Sequence, residues 1–593
     1  MNKANLTAYE VVTEENLTDI HSTGWLLRHK KTGARVMLIE NDDENKVFNI
    51  AFRTPPKDST GVAHILEHSV LCGSREFPLK DPFVELVKGS LNTFLNAMTY
   101  PDKTCYPVAS CNDKDFQNLM HVYLDAVFYP NIYKREEIFR QEGWNYHLEQ
   151  KEGPLKYNGV VYNEMKGAFS SPDEVLEREI MNHLFPDTTY GCESGGDPKN
   201  IPDLTYENFL NFHRTYYHPS NSYIYLYGNM DMEEKLAFLD EHYLSHFDYL
   251  DVDSVIQEQK AFGACQDVTL EYPVAENEGE EDNTYLSYNM VVGNAADSQM
   301  AMAFEVLDYA LLSAPGAPLK QALLDVKAGK DVYGSYDDGI LQPYFTVIAK
   351  GSNPDRKEEF VSVIRQVLGD IVKNGIDKKA VEAGINYFEF RYREADFSSY
   401  PKGLMYSLDI LGDWLYEKGN PFAQVQQLTV FENLKKAVNE GYFEELIRKY
   451  LLENPHGCIM TLVPKKGLAA QREKELEEKL EAYRSSLSEE QLDAMVEKTK
   501  ALEAYQEAGE NPKALECIPM LKRSDIKKEA AKIINEELTV DNSLFLYHDV
   551  CTNGIGYVDL MFKTDSIAPE QIPYLGLLKS VLGYVDTENY TYG

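Results

Sequence analysis

Two histidines and a glutamate in one short segment could together hold a metal ion and move a proton. They are His64, Glu67 and His68, within residues 61–73 (GVAHILEHSVLCG). If this segment is a helix, His64 and His68 lie one turn apart on the same face, with Glu67 beside them. Two imidazoles at this spacing can bind one divalent ion, typically zinc, and a neighbouring carboxylate can accept a proton from water on that ion.

The segment also has the features of a buried helix. Thr60 is a plausible N-cap, and Gly73 stands where a helix would end in the left-handed conformation. Apolar residues flank the motif (Val62, Ile65, Leu66, Val70 and Leu71). The alternative is a pair of ordinary histidines, but three polar groups without partners on a buried helix would cost several kcal/mol. A bound metal removes that cost.

A catalytic zinc ion usually has three protein ligands and one water. Spacing alone does not choose the third ligand, because the chain contains 96 Asp and Glu residues. The best local candidate is Glu164, where an apolar approach leads into an amphipathic run within residues 157–169 (YNGVVYNEMKGAF). Such a run would point a carboxylate inward from a helix, although Glu164 could also be an ordinary solvated residue.

Several segments in the same order resemble the pitrilysin-type zinc peptidases, or inverzincins, and most closely their presequence-protease branch. The matching segments are residues 61–73, 90–100, 158–169, 195–206 and 217–221, and the likeness covers essentially the whole chain. The resemblance implies one zinc ion per chain, bound by His64, His68 and Glu164. It also implies that Glu67 acts as the general base.

The resemblance further implies a substrate-binding edge. Asn96, Ala97 and Met98 would lie on the edge of a sheet that pairs with the backbone of the substrate. Main-chain hydrogen bonds hold a peptide added in this way, so selection by sequence is loose. From the residues alone, Asn96 and Ala97 are better explained as an ordinary strand end.

Length and composition are typical of a large enzyme without nucleic-acid partners. The 593 residues, 43% of them hydrophobic, are enough for several domain cores. The formal net charge of −38 argues against nucleic-acid binding, which needs a basic surface, and could attract cationic peptides. No apolar run reaches the roughly 18 residues that a membrane span requires, so we expect no membrane partner.

The cysteines and the N-terminal residues predict a cytoplasmic protein. The eight cysteines are scattered and include no C-x-x-C pair, which argues against a disulfide framework and a cysteine-based zinc site. The first residues lack the basic start and apolar core of a secretion signal. They also lack the Arg-rich composition of an organelle-import segment.

The order of strand-like and helix-like segments predicts an α+β fold in four sections. Residues 1–255 are expected to form a catalytic zinc-binding domain, and residues 256–465 a second, homologous and non-catalytic domain. Each should be a two-layer α/β sandwich. Residues 466–530, rich in Glu, Lys, Ala and Leu, are expected to form a helical hairpin linker. Residues 531–593 would be the truncated start of a third such domain.

A faint internal repeat supports a duplicated module. Residues 48–54 (FNIAFRT) align with residues 558–564 (VDLMFKT), and each segment is followed by a helix. No residue at the metal-face positions of the second copy can form a zinc site (Tyr574, Leu577 and Leu578, or one residue later Leu575, Leu578 and Lys579). Because the chain stops soon after this helix, we expect an N-terminal fragment that needs a missing C-terminal half for full activity.

Together with the resemblance, these features predict a zinc-dependent endopeptidase that cleaves short unstructured peptides in an enclosed chamber. Glu67 would accept a proton from water and pass it to the leaving amine. One alternative is a catalytically silent scaffold or peptide-binding relative, which would typically have lost part of the metal motif. Another is a metal-dependent hydrolase of a non-peptide substrate, which would not need the pairing edge at Asn96 and Ala97.

Overall fold

The computed structural model describes residues 1, 3–510, 512–530 and 532–591. A first mixed β-sheet lies in the N-terminal part of the chain. Its strands are β1 (Tyr9–Leu17), β2 (Ser22–His29), β3 (Arg35–Glu40), β4 (Lys46–Arg53), β5 (Asn92–Leu95), β6 (Met98–Thr99), β7 (Lys103–Ser110) and, after a separate ladder of β8 (Asn145–His147) and β9 (Lys156–Asn158), β10 (Ser222–Gly228). The spatial order is β1-β2-β3-β10-β4-β7-β5, and β6 also pairs with β7. Only β3 and β10 run parallel among these pairs.

A second mixed sheet repeats this arrangement. Its strands are β11 (Gln266–Val274), β12 (Thr284–Val291), β13 (Asp331–Asp337), β14 (Tyr344–Ser352) and β15 (Gly457–Lys466). The order β11-β15-β12-β14-β13, with only β11 and β15 parallel, matches β3-β10-β4-β7-β5 in both order and direction. The predicted α+β class with two related sheet-and-helix units is therefore confirmed.

Helices of the N-terminal part cover one face of the first sheet. They are α1 (Val62–Val70), α2 (Pro82–Val87), α3 (Asp113–Phe128), α4 (Glu136–Glu142), α5 (Val160–Ala168), α6 (Pro172–Leu184), α7 (Tyr206–Tyr216) and α8 (Met232–His242). Alternate residues of β4, such as Phe48 and Ile50, share a core with Ile65 and Leu66 of α1. Burial of these apolar side chains holds α1, with its polar motif, against the sheet.

Each unit also lends one helix to the other. The second unit contains α9 (Ser298–Asp308), α10 (Pro318–Asp325), α11 (Lys357–Asn374), α12 (Lys378–Glu394), α13 (Lys402–Trp414), α14 (Leu428–Ala437) and α15 (Tyr442–Leu446). Ile410 of α13 belongs to the core on the second face of the first sheet. In return, Ile180 and Leu184 of α6 pack on the second sheet with Met460. Both sheets are thus buried on two faces, which explains their nearly continuous apolar strands.

Two long helices follow the second sheet where the hairpin was predicted. They are α16 (Leu468–Ser486) and α17 (Glu489–Glu507), and Ser488 begins the latter with a capping box. Leu480 of α16 and Val496 of α17 share a small core with Leu148, just after β8. No helix in the described part of the chain combines the length and the apolar character needed to cross a bilayer.

The last described residues form a few separate elements. They are the short α18 (Pro512–Leu515), a ladder of β16 (Glu536–Val540) and β17 (Ser543–Tyr547), and α19 (Ile572–Val581). The predicted second-copy helix is therefore present as α19. Residues 558–564, aligned with β4, are not a strand, and Met561 among them is 90% exposed. A strand needs a neighbour for its backbone N–H and C=O groups, and no described segment pairs with this one.

Candidate metal centre

Helix α1 presents the three polar side chains of the motif. It begins after Gly61, which adopts a left-handed conformation with φ 69°. The predicted N-cap at Thr60 is therefore wrong, and Thr60 instead donates its backbone N–H to Asp58, 3.0 Å away. Gly73 has φ 98°, the left-handed conformation that was predicted there.

Glu164 on α5 reaches both histidines of α1. Its Oε2 atom lies 3.8 Å from His64 Nε2 and 3.8 Å from His68 Nε2. One ligand atom from each of the three residues lies within 4.8 Å of the others. No other group of His, Cys, Asp and Glu in the described residues meets that condition. The structure therefore brings together the three predicted ligands, although they come from two helices about 100 residues apart in the sequence.

The three ligand atoms fit a zinc ion. Ligands about 2.0–2.2 Å from a tetrahedral zinc lie roughly 3.3–3.6 Å from one another, so the observed 3.8 Å needs only a small contraction. Two imidazoles and one carboxylate are a donor set that catalytic zinc sites use. The Glu164 side chain is 53% exposed, which leaves room for a water molecule and a substrate at the open side.

The far nitrogen of each imidazole has an acceptor of its own. His64 Nδ1 lies 3.1 Å from the carbonyl oxygen of Gly195, and His68 Nδ1 lies 3.3 Å from Glu142 Oε2. Because neither oxygen can donate, both Nδ1 atoms carry the proton and both Nε2 atoms are free to bind a metal. Burial opposes a charge on His68, but hydrogen bonding to Glu142 and nearby carboxylates raise its pKa overall.

A contact between glycines sets the distance between α1 and α5. A Cβ atom on Gly159, just before α5, would lie 2.2 Å from the carbonyl oxygen of Gly143, just after α4. A Cβ atom on Gly143 would in turn lie 3.0 Å from Ile65 Cγ2, between the two histidines of α1. Without side chains here, the backbones approach closely enough for Glu164 to reach the imidazoles.

A second glycine contact positions the acceptor of His64. A Cβ atom on Gly61 would lie 2.7 Å from the carbonyl oxygen of Gly195 and 2.8 Å from Gly196 Cα. The loop at Gly195 can therefore lie directly against the start of α1. Sequence reasoning included these glycines in its matching segments but assigned them no role.

We expect Gly159→Ala to disrupt the metal centre. The new methyl group would overlap the Gly143 carbonyl, so α5 must move and carry Glu164 away from the histidines. Zinc affinity, measured by competition with a chelator, should fall at least about tenfold, and the free energy of unfolding should fall by about 3 kcal/mol. Gly167→Ala is the matched control, because a Cβ atom there meets nothing within 4 Å. Equal zinc affinity in the two variants would contradict this account of the helix contact.

Glu67 is the third polar residue of α1, and it is buried, with 9% exposure. It lies close enough to Tyr123 of α3 for its charge to act on that hydroxyl. Burial raises the pKa of Tyr123 well above its usual value, and the charge of Glu67 raises it further. The neutral Tyr123 hydroxyl donates to the carbonyl oxygen of Asn96, 3.2 Å away. This contact links the neighbourhood of Glu67 to the predicted substrate edge, and sequence reasoning did not find it.

The residues predicted to bind substrate lie at the end of the first sheet. Asn96 and Ala97 fall between β5 and β6, and Met98 begins β6, opposite Cys105 of β7. The Asn96 N–H donates to the Pro107 carbonyl at 3.4 Å, so this segment continues the pairing with β7. On its other side no described strand pairs with it. β6 also packs against α1, which places the free edge beside the metal centre.

Family models match three parts of the chain. Residues 52–190 match insulinase (peptidase family M16), and residues 203–388 match the peptidase M16 inactive domain. Residues 462–593 match a third model, which describes a region associated with subfamily C of the same peptidases. The first match contains both α1 and α5, and therefore all three candidate metal ligands.

Individual proteins show the same relationship. Protein HypA of Clostridium perfringens is 50% identical over 586 residues, which span 99% of this chain and 60% of that protein. Presequence protease 1 of Arabidopsis thaliana, chloroplastic/mitochondrial, is 40% identical over 598 residues, which span 100% of this chain and 55% of that protein. Among solved structures, pitrilysin matches with a TM-score of 0.54 and 16% identity over 77% of this chain and 47% of its own. At that identity the structural match shows the fold alone.

An α+β fold with two related sheets and a His-His-Glu cluster beside a free sheet edge defines the class of protein. The chain belongs to peptidase family M16 and, within it, to the presequence-protease branch. The resemblance drawn from the sequence is thereby confirmed. The chain spans between 55% and 60% of the length of the two relatives described above.

Proposed function

We propose that this chain carries the catalytic zinc centre of an endopeptidase that hydrolyses short, unstructured peptides. The observation that supports this most directly is the convergence of His64, His68 and Glu164, with Glu67 on the same helix as the histidines. The name of the Arabidopsis relative, presequence protease, indicates the same class of substrate. All members of the motif are present, which favours an enzyme over a silent scaffold.

In this proposal each residue has a defined task. When bound by His64, His68 and Glu164, zinc lowers the pKa of water and polarises the scissile carbonyl. Glu67 accepts the proton of the attacking water and delivers it to the leaving amine. Burial keeps Glu67 in a site of low dielectric constant, where a well-placed charge acts more strongly than in water.

We propose that the segment Asn96-Ala97-Met98 holds the substrate in an extended conformation. Its free edge can pair with a peptide backbone, because β7 occupies only the other side. The hydrogen bond from Tyr123 to the Asn96 carbonyl would fix that edge relative to Glu67. Backbone pairing of this kind favours unfolded peptides over folded proteins and gives little selection by sequence.

We further propose that a C-terminal half, comparable to the remainder of the longer relatives, completes the enzyme. The segment 532–591 exposes many apolar side chains, including Ile533, Met561 and Tyr584. Exposed apolar surface on this scale marks an interaction site, and burying it would stabilise the complex. With such a partner the chain would enclose a chamber around the metal centre, and full activity would depend on both halves.

The unpaired cysteines are consistent with a location in a reducing compartment, and we propose the cytoplasm. All eight cysteines are free thiols in the structure. Buried thiols such as Cys105 and Cys458 are common in proteins of reducing compartments, where no oxidant forces them into disulfides.

Metal analysis combined with peptide digestion tests the proposed function. The purified chain should contain about one zinc ion, and cleavage of an unstructured peptide mixture should increase strongly when the C-terminal half is added. Absence of zinc would support the scaffold alternative. Stoichiometric zinc without peptide cleavage by the two halves together would support a hydrolase of another substrate.

A further inference from the structure

Glu142 is a buried carboxylate directly behind the metal centre. It is the last residue of α4, only 7% of its surface is exposed, and its Oε2 lies 3.3 Å from His68 Nδ1. The motif contains no signal for this residue, because it lies 74 positions from His68 in the sequence. A buried carboxylate is unfavourable unless it is hydrogen-bonded, and His68 provides the charged or polar partner that it needs.

We propose that Glu142 is a positioning residue that holds His68 in the orientation and tautomer required for binding zinc. This inference rests on the proposed function, since it concerns the affinity of that same centre for its metal. Glu142 accepts the proton side of the ring, so the Nε2 atom points toward Glu164. A carboxylate in this role also makes the imidazole a stronger ligand.

The second carboxylate oxygen of Glu142 is held by other donors. Glu142 Oε1 accepts a hydrogen bond of 2.8 Å from Gln141 Nε2. The Cys72 thiol, just after α1, lies 3.6 Å from the same oxygen and 3.5 Å from the His68 carbonyl. With both oxygens engaged, the carboxylate cannot rotate freely, and its orientation is transmitted to the His68 ring.

The helix that carries Glu142 is itself held from two sides. On one side, Gly143 packs against Ile65 between the metal-binding histidines. On the other side lies the helical hairpin, where Arg140 of α4 donates to the Lys498 carbonyl of α17 at 3.4 Å. The buried Leu148 N–H also donates to Thr499 Oγ1 of α17 at 3.1 Å. The hairpin thus helps to fix α4, and through Glu142 it supports a ligand of the metal.

The two histidines differ in a way that makes the inference testable. His64 is oriented by the backbone carbonyl of Gly195, which no side-chain substitution can remove. His68 is oriented by a side chain, so its acceptor can be changed while the ligand itself is kept. Substitution of such an outer partner typically lowers metal affinity by about 10–100-fold.

The experiment compares zinc affinity in three variants of the chain by competition with a chromogenic chelator. Glu142→Gln keeps the size and one acceptor oxygen but loses the charge, and we expect about a tenfold weaker affinity. Glu142→Leu keeps the volume without an acceptor, and we expect about a hundredfold loss. Glu136→Gln, at the exposed start of the same helix, is the control and should match the parent.

A spectroscopic measurement separates orientation of the ligand from simple packing. In the Co²⁺-substituted chain, Glu142→Gln should shift the visible absorption bands, because the ligand field at His68 changes. Zinc affinity and Co²⁺ bands equal to the parent in both Glu142 variants would overturn the positioning role while leaving the proposed function intact. If the parent chain itself bound no zinc, the proposed function and this inference would both fail.

Discussion

Replacing Glu67 with Gln should nearly abolish peptide hydrolysis while zinc remains bound. The amide keeps the size of the side chain but cannot accept the proton of the attacking water. Loss of a general base lowers the rate by about 10²–10⁴-fold. The measurement is kcat on an unstructured peptide, with the chain and its C-terminal half combined, alongside zinc content.

A matched control for this prediction is Glu241→Gln, which changes an exposed glutamate of α8 in the same way. It should leave both turnover and zinc content unchanged. If Glu67→Gln retained the parent's turnover, Glu67 would not be the base, and another buried carboxylate would have to serve. If it lost zinc as well as turnover, Glu67 would be acting on the metal rather than on water.

Replacing His64 with Ala should empty the metal centre. Zinc sites with four ligands bind with about 10–16 kcal/mol, so one ligand contributes about 3 kcal/mol, or at least about a hundredfold in affinity. After dialysis, His64→Ala should retain well below one zinc per chain, as measured by atomic absorption. Hydrolysis should disappear with the metal.

The control for this variant is His183→Ala, a partly exposed histidine near the end of α6 whose ring nitrogen contacts the Glu179 carbonyl. That variant should keep its zinc, so a loss specific to His64→Ala identifies a ligand rather than a general effect of removing imidazole. Full zinc occupancy in His64→Ala would refute the assignment. Circular dichroism of both variants should match the parent, because the α1 backbone is supported by the apolar core around Ile65.

Elements with a strong local pattern could be predicted from the sequence. The spacing of His64, Glu67 and His68 defines one helical face whatever surrounds it, and α1 was predicted with only its N-cap misplaced by one residue. The helical hairpin was predictable for the same reason, because α16 and α17 have helix-forming composition along their whole length. The strand expected within residues 558–564 was not formed, because a strand depends on a partner and no described segment provides one.

The completed site depends on contacts that have no local pattern. Glu164 was one carboxylate among many until the family resemblance singled it out, and only the fold places its Oε2 3.8 Å from both imidazoles. Glu142 gave no signal, since its role comes from a partner on another helix. The sequence by itself determined which side chains could bind a metal and activate water. The tertiary structure decided which of them meet, because the helices approach only where Gly143 and Gly159 leave room for backbone to touch backbone.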